Sequence, residues 1–312
     1  MDCIVTGSGK SALHLVLSHM LQTGVLAPKE HDILVPRKLG YWVYNIIQIS
    51  AQTTPVPTNR TKAILVYHQY GFPQDMEAIL AEALKHGWLV VEDCAHCLES
   101  SHPLGLCGTL GDYAIHSLSK FFPLPPLGAV RGGEGFRVWA KKQPSGKRWL
   151  RVFKELTKAY HEARPLFSTP ASRLAAINMS YSVYHLATGP GPAARALNDI
   201  DIPSLLGKRR AFYANVRTAV EPSGLCDHLE AEGVTPYVIP LHAGLPTLER
   251  IRNSLAEAGV PSAIYSFDMA RNMLAPDHKP CLCLPCDESF QQKHGQTALH
   301  VLEREAARSN RA

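Results

Sequence analysis

Apolar and polar positions divide the first part of the chain into short apolar runs separated by amphipathic stretches. The runs that predict strands are DILVP (residues 32–36), KAILVYH (62–68), WLVVED (88–93), GDYAIHSL (111–118) and LGAVR (127–131). Apolar residues recur at helical spacing over 11–22, 41–50 and 75–86, which predicts three helices between the strands. Strands that are apolar on both faces and alternate with helices are typical of a parallel sheet covered by helices. We therefore predict an α/β fold with a mostly parallel central sheet.

The pattern changes beyond this region. Residues 137–187 carry a helical pattern, and GPGPA at 189–193 interrupts it. After the interruption, the spacing predicts helices over 205–220, 247–258 and 291–307, with one strand over 237–241. We expect a large domain over residues 1–190 and a smaller C-terminal α+β domain over 191–312.

Composition narrows the class of protein. The chain has 312 residues, 46% hydrophobic and 19% charged, which is ordinary for a globular protein with a large core. A net charge of +5 over this length, with no basic stripe interleaved with aromatics, argues against a nucleic-acid partner. No apolar run is long enough to cross a membrane, and the N-terminus lacks the pattern of a signal peptide. We expect no membrane partner and a cytoplasmic location.

The eight cysteines raise the question of a metal site. Cys94-x-x-Cys97 and Cys283-x-x-Cys286 have the spacing of two zinc half-sites. Their context argues against zinc, because Cys94 directly follows an apolar strand and Cys283 and Cys286 flank Leu-Pro, without the glycine-rich turns that fold two thiolates onto one metal. We expect buried free thiols and no metal.

The opening segment TGSGKSALHLVL, residues 6–17, looks like a nucleotide-binding loop. A P-loop requires G-x-x-x-x-G-K-[ST], and counting back five positions from Gly9 reaches Ile4. The spacing therefore excludes the ATP-binding hypothesis. Two interpretations remain: a Gly-Ser-Gly turn that offers helix N–H groups to one anionic group, or an ordinary helix cap by Ser8 or Ser11.

Polar side chains follow three of the predicted strands. They are His68; Glu92 and Asp93; and Ser117, Ser119 and Lys120. A lysine just after a buried strand becomes a nucleophilic amine when burial lowers its pKa, and an acid nearby can hold a protonated ring nitrogen. Together with a site for one phosphate, these are the requirements of pyridoxal phosphate. Taken singly, the same residues are also compatible with a helix cap at Asp93, a turn residue at Ser117 and a solvated Lys120.

Several motifs in this order carry a family resemblance. They are HQYGFP (68–73), VEDCAH (91–96), GTLGDY (108–113), SLSKF (117–121), GSGKSAL (7–13) and LCLPC (282–286). The chain resembles the DegT/StrS-type sugar aminotransferases, a family of fold type I pyridoxal phosphate enzymes, and the resemblance is densest over residues 62–130. It implies a three-layer fold type I transferase and a homodimer. The chain begins close to the phosphate loop, and the segment between Pro55 and Thr61 is short, so we expect a shortened and divergent member.

The resemblance also assigns roles to individual residues. Lys120 matches the Schiff-base lysine, and Asp93 matches the acid that pairs with the pyridine nitrogen. His96 falls where the family usually has glutamine beside the ring oxygen of the cofactor.

For some of the remaining cofactor contacts, the resemblance leaves two candidate residues. Ser8, Gly9 and Lys10 match the phosphate loop, through backbone N–H groups. Ser117 is the implied source of a phosphate hydroxyl, with Ser119 as the alternative. Tyr41 and Trp42 are the candidates for an aromatic residue that stacks on the ring.

The function that the resemblance implies is transamination of a keto sugar, which the same resemblance implies is nucleotide-linked, with an amino donor such as glutamate. In that hypothesis Lys120 moves the proton at the substrate Cα as a general acid–base. A dehydratase is a second hypothesis, but in the family that activity goes with histidine in place of the lysine. A third hypothesis is a protein that binds pyridoxal phosphate in a regulatory, non-transaminating role.

Overall fold

The computed structural model describes residues 3–124, 127–143, 169, 193–230 and 232–309. These residues form two compact units. The first unit takes its residues from 1–65, 83–95 and 111–200, and the second from 66–82, 96–110 and 201–312. Most of the predicted helical segment 137–187, the interruption at 189–193 and the expected domain boundary at 190/191 lie outside the described residues, so that boundary stays a prediction.

Twelve strands occur in the described part of the chain. In chain order they are β1 Ile4–Thr6, β2 Asp32–Leu34, β3 Gln52–Thr54, β4 Thr61–Tyr67, β5 Leu89–Cys94, β6 Ser101–His102, β7 Gly105–Leu106, β8 Tyr113–His116, β9 Gly128–Gly132, β10 Val238–His242, β11 Ala263–Asp268 and β12 His278–Pro285. Seven of them form the central sheet in the order β1-β9-β8-β5-β4-β2-β3. All five strands predicted from the first part of the chain belong to this sheet.

The central sheet is mixed in direction. β2 pairs in parallel with β3 and with β4, and β5 pairs in parallel with β8. β9 runs antiparallel to both β8 and β1. The prediction of a mostly parallel sheet in an α/β fold is confirmed. β1 and β3 are three-residue strands, too short to give a hydrophobic pattern of their own.

The described part of the chain also contains helices of eight or more residues, some in each unit. They are α1 Gly9–Gln22, α2 Tyr41–Gln48, α3 Met76–His86, α4 Glu134–Lys141, α5 Ile202–Val220, α6 Leu245–Glu257 and α7 Glu288–Ser309. In the first unit α1 buries Ala12, Val16 and Met20 completely, one turn apart on one face, in a core that also contains Val91 and Ile115 of the sheet. The first turn of α1 is therefore fixed against the strand ends.

The second unit contains a three-stranded antiparallel sheet in the order β10-β12-β11. Its core includes the fully buried Val216, Leu248, Leu282 and Leu302 from α5, α6, β12 and α7. The predicted helices and the strand β10 are present here.

The strands β11 and β12 were not predicted. β12 is the central strand of its sheet and yet contains two prolines, a residue that normally argues against a central strand because it lacks an N–H donor. β11 is only partly buried, so its apolar pattern is weak.

Among the helices that the structure describes, none is both long enough and apolar enough to cross a lipid bilayer.

Candidate active site

The N-terminus of α1 is organised by hydroxyl groups. Ser8 is the N-cap residue, and its Oγ accepts a hydrogen bond of 3.0 Å from the backbone N–H of Ser11. The hydroxyls of Ser8 and Ser11 lie 3.0 Å apart, and Thr6 Oγ1 donates to the Ser8 carbonyl at 2.9 Å. No acidic side chain lies in the first turn, so none offsets the positive end of the helix dipole there. The cap that the sequence predicted at Ser8 is present, and anion binding at the same turn stays a prediction.

Two glycines bring this turn against the ends of the central strands. A Cβ at Gly9 would lie 2.9 Å from the Cβ of Ser117 and 3.3 Å from the carbonyl oxygen of His116. A Cβ at Gly128 would overlap the backbone of Ser8 and Gly9. Only residues without a side chain permit this approach, so the start of α1 packs directly on the segment that leads to Lys120.

Lys120 ends a short 3-10 turn, Leu118–Lys120, that follows β8. Its N–H donates to the Ser117 carbonyl at 3.1 Å, and the buried rings of Phe121 and Phe122 follow it. The Lys120 side chain is partly exposed to solvent, but protein atoms surround much of it. The resulting desolvation lowers the pKa of its amine. The negative charge of the Asp93 carboxylate acts in the opposite direction and raises that pKa. A lysine in this setting loses its proton more readily than a solvated one.

The two acids at the end of β5 have separate roles. Asp93 is 2% exposed, its Oδ1 accepts the Ala95 N–H at 2.9 Å, and its charge acts on Lys120. Glu92 is fully buried and accepts the Gly111 N–H at 2.7 Å. Adjacent residues of a strand point to opposite faces, which is why only Asp93 is electrostatically coupled to the lysine. Glu92 instead anchors the loop that leads into β8.

Lys10 is a second lysine in the same region. It is the second residue of α1 and is half-buried. Desolvation, and after it the positive charge of Lys120, lower its pKa to about 8. The first unit thus brings together the capped N-terminus of α1, Lys10, Lys120 and Asp93.

His96 lies in the second unit, in an aromatic stack that the sequence did not predict. Its ring is 4.2 Å from that of Tyr237 with an interplanar angle of 14°, and 6.0 Å from that of Tyr70. Its Nδ1 is hydrogen-bonded to the Tyr67 hydroxyl. Tyr237 is far in sequence from Tyr67, Tyr70 and His96, so no local pattern could have indicated the stack.

Tyr41 is the first residue of α2 and is 48% exposed. Its predicted stacking on the cofactor ring stays a prediction, as does the contact of His96 with the ring oxygen. Trp42 belongs to the same helix, but its side chain is not among those that the structure describes.

The cysteines of the second unit are in an environment that favours thiols. Burial raises the pKa of Cys283 and of Cys286 to about 12. The Cys286 Sγ donates to the Pro236 carbonyl at 2.9 Å, and Cys283 donates to the carbonyl of Cys281 at 3.8 Å. Zinc binds thiolates, and this environment opposes their formation.

Comparison with family models and known proteins shows what the chain is similar to. The model of the DegT/DnrJ/EryC1/StrS aminotransferase family matches residues 47–136, a segment that contains Asp93 and Lys120. Over these residues the chain is similar to that family. One relative is the UDP-N-acetyl-3-dehydro-alpha-D-glucosamine 3-aminotransferase of Acidithiobacillus ferrooxidans, 31% identical over 221 residues, 65% of this chain and 56% of that protein.

Two further relatives differ in their named roles. The pleiotropic regulatory protein of Geobacillus stearothermophilus is 31% identical over 209 residues, 62% of this chain and 55% of that protein. The GDP-perosamine synthase of Escherichia coli O157:H7 is 43% identical over 76 residues, 24% of this chain and 20% of that enzyme. The chain spans about half the length of the Acidithiobacillus and Geobacillus relatives.

Solved structures show the fold. An aminotransferase from Psychrobacter cryohalolentis superposes with a TM-score of 0.61 at 17% identity, over 98% of this chain and 87% of that one. A DegT DnrJ EryC1 StrS aminotransferase from Brucella abortus gives a TM-score of 0.57 at 15% identity, over 97% and 86% of the two chains. The fold is therefore that of the fold type I aminotransferases, as the resemblance implied.

Proposed function

We propose that the protein is a pyridoxal phosphate-dependent aminotransferase that transfers an amino group from a donor such as glutamate to a nucleotide-linked keto sugar. The observation that carries this proposal is the setting of the Lys120 amine. Desolvation lowers its pKa, and the buried Asp93 acts on it electrostatically. The turn that ends in Lys120 packs against the N-terminus of α1. An activated amine, a buried carboxylate and a helix N-terminus with serine hydroxyls are the donor set that this cofactor needs. The residues present therefore fit it.

Each residue has a role in this proposal. Lys120 would hold the cofactor covalently, Asp93 would pair with its ring nitrogen, and the N–H groups of Gly9 and Lys10 with the hydroxyls of Ser8 and Ser117 would hold its phosphate. His96 would contact the ring oxygen, and Tyr41 would stack on the ring. When bound, the cofactor supplies an electron sink for the bond at the substrate Cα.

The chemistry of this chain is acid–base catalysis at that carbon. The Lys120 amine accepts the proton of the substrate Cα and returns it, because desolvation lowers its pKa and so favours the unprotonated form that can act as a base. The Asp93 carboxylate, buried and negatively charged, holds a proton at the ring nitrogen.

The names of the relatives support the choice of acceptor. One acts on a UDP-linked dehydro sugar, another is a GDP-perosamine synthase, and a third is a dTDP-3-amino-3,4,6-trideoxy-alpha-D-glucose transaminase from Micromonospora megalomicea. All three names refer to nucleotide-linked sugars. We extend this substrate class to the present chain.

A second function has a specific observation in its favour. Two relatives are named for regulation, the pleiotropic regulatory protein and the erythromycin biosynthesis sensory transduction protein of Saccharopolyspora erythraea. In that case the chain would bind pyridoxal phosphate without turnover.

A two-step nitrogen transfer separates the two functions. The loaded protein is mixed with ¹⁵N-glutamate, 2-oxoglutarate is quantified, and UDP-, GDP- and dTDP-linked keto sugars are then added and the sugars analysed for ¹⁵N. We expect stoichiometric 2-oxoglutarate and label in one nucleotide class, and neither product from Lys120→Arg. Cofactor binding with no 2-oxoglutarate from glutamate, glutamine or aspartate would favour the regulatory function instead.

A further inference from the structure

A hydrogen-bonded tyrosine–histidine pair lies within the second unit. Tyr67 is the last residue of β4, and His96 follows the end of β5 by two residues. The Tyr67 hydroxyl is hydrogen-bonded to Nδ1 of His96, and the two rings meet edge to face with their centroids 5.4 Å apart. Both side chains are half-buried, so the contact is partly shielded from water.

Two further tyrosines of this unit fix the plane of the His96 ring. The Tyr237 ring is 4.2 Å away at an angle of 14°, and the Tyr70 ring is 6.0 Å away at 21°. The Tyr237 N–H donates to the Tyr70 carbonyl at 2.7 Å, which ties the two backbones together. Gly71 has a φ of +98°, and a Cβ there would lie 2.5 Å from the Thr235 carbonyl oxygen, so this approach requires glycine. The rings that pack on the imidazole are therefore held by their backbones.

The chemistry of the two groups decides the direction of the hydrogen bond. A phenol is a good donor but a weak acceptor, because a lone pair of its oxygen is delocalised into the ring. The unprotonated nitrogen of a neutral imidazole is a good acceptor. The favourable arrangement has the Tyr67 O–H donating to His96 Nδ1, and the single ring hydrogen of the neutral imidazole then lies on Nε2. The same bond selects between the two flipped orientations of the ring, because a flip replaces Nδ1 by a carbon.

We propose that Tyr67 is a positioning residue that holds the neutral His96 imidazole in the tautomer with its hydrogen on Nε2, so that the ring presents an N–H donor in a fixed plane. Such a donor suits a ligand oxygen, and the ring oxygen of pyridoxal phosphate is one. The inference rests on the proposed function, in which His96 contacts that oxygen. The tautomer itself belongs to this chain and is measurable without any cofactor.

Nitrogen NMR of the apo protein measures the tautomer directly. The full-length chain is labelled with ¹⁵N in its histidine rings, and spectra are recorded at about pH 8.5, well above the ordinary pKa of histidine. The His96 signals are assigned by their loss in His96→Gln. In the wild type we expect Nδ1 at the frequency of an unprotonated ring nitrogen and Nε2 at that of a protonated one. A hydrogen found on Nδ1 instead overturns the proposal.

Removal of the hydroxyl tests whether Tyr67 sets the tautomer. In Tyr67→Phe we expect the population ratio of the Nε2–H form to the Nδ1–H form to fall about fivefold, because one hydrogen bond is lost. Tyr70→Phe is the matched control: it removes a hydroxyl that is hydrogen-bonded to Gln69 and Cys283, and it should leave the His96 ratio unchanged. Equal ratios in the wild type and Tyr67→Phe overturn the proposal. Circular dichroism checks that the variants are folded, and the wild-type spectrum decides the tautomer independently of them.

A third arm separates this inference from the proposed function. Pyridoxal phosphate and its 3-deoxy analogue, which lacks the ring oxygen, are added to separate samples, and we expect the Nε2 proton of His96 to move further downfield with pyridoxal phosphate. If neither ligand moves it while Tyr67→Phe changes the tautomer ratio, the proposed contact with the ring oxygen fails and the positioning by Tyr67 stands. If only pyridoxal phosphate moves it and Tyr67→Phe leaves the ratio unchanged, the proposed function stands and the inference fails.

Discussion

At the scale of single residues, the sequence could indicate Lys120 and Asp93 as candidates because of their residue type and their position after a strand, and their roles stay a prediction. The sequence showed a lysine and an acid following separate apolar runs, and the structure couples them electrostatically. The coupling of Lys10 was not predictable. Lys10 and Lys120 are far apart in sequence, and no local pattern encodes the packing of Gly9 on Ser117 that brings their segments together.

The neighbouring acids Glu92 and Asp93 are expected to respond differently to mutation. Glu92→Ala removes the acceptor of a buried 2.7 Å hydrogen bond, so we expect the free energy of unfolding to fall by about 1–3 kcal/mol. Asp93→Asn keeps the shape of the side chain and an acceptor oxygen but removes the negative charge, so we expect its main effect to be a lower affinity for pyridoxal phosphate. Urea denaturation of the apo proteins and titration with pyridoxal phosphate measure the two quantities. A destabilisation larger in Asp93→Asn than in Glu92→Ala contradicts this assignment.

The lowered pKa of Lys10 makes stability depend on pH with a definite sign. Its pKa is about 8 in the folded protein against an ordinary lysine value of 10.5, so the folded protein disfavours the protonated form. The resulting destabilisation is complete below about pH 8 and disappears as pH rises towards 10.5. We expect Lys10→Met to unfold at higher urea than the wild type at neutral pH. The difference should narrow at about pH 10, and a difference that is the same at both pH values would contradict the account.

At the scale of elements, helices and long apolar strands were predictable from periodicity. The parallel or antiparallel direction of each strand, and the presence of the short strands, were not. LGAVR was expected as a strand, but its antiparallel pairing with β8 and β1 depends on connections that hydropathy does not report. β12 was missed because Pro280 and Pro285 lie within it. The GSGKSAL segment was predicted as a helix start, and the structure adds that Gly9 is required by the turn that carries Lys120.

The close approach of α1 to this turn predicts the effect of a side chain at residue 9. In Gly9→Val the new Cβ meets the Ser117 Cβ at 2.9 Å, so the helix start must shift away from the turn. We expect the Kd for pyridoxal phosphate to rise at least about tenfold, because the N–H donors move with the helix. Gly135→Val is the matched control, since a Cβ at Gly135 meets open space. Titration of the two apo variants measures this, and equal Kd values would mean that the turn is an ordinary helix cap.

At the scale of the whole molecule, assembly is a prediction that rests on the family. Fold type I enzymes complete their sites with a second subunit, so we expect a homodimer with an interface of the obligate class, above about 2,000 Å². Analytical ultracentrifugation of the cofactor-loaded protein at micromolar concentration measures its mass. A strictly monomeric species that retains the cofactor would exclude the dimer.

We propose above that Lys120 is the lysine that holds the cofactor. Purified protein loaded with pyridoxal phosphate is reduced with borohydride, digested and mapped by mass spectrometry, beside Lys120→Ala as the control. Because the Lys120 side chain is exposed on its turn, the variant should keep its circular dichroism spectrum. We expect one reduced pyridoxyl group per chain, on Lys120, and none in the variant. A label on Lys10 or another lysine, or an undiminished label in Lys120→Ala, would contradict it.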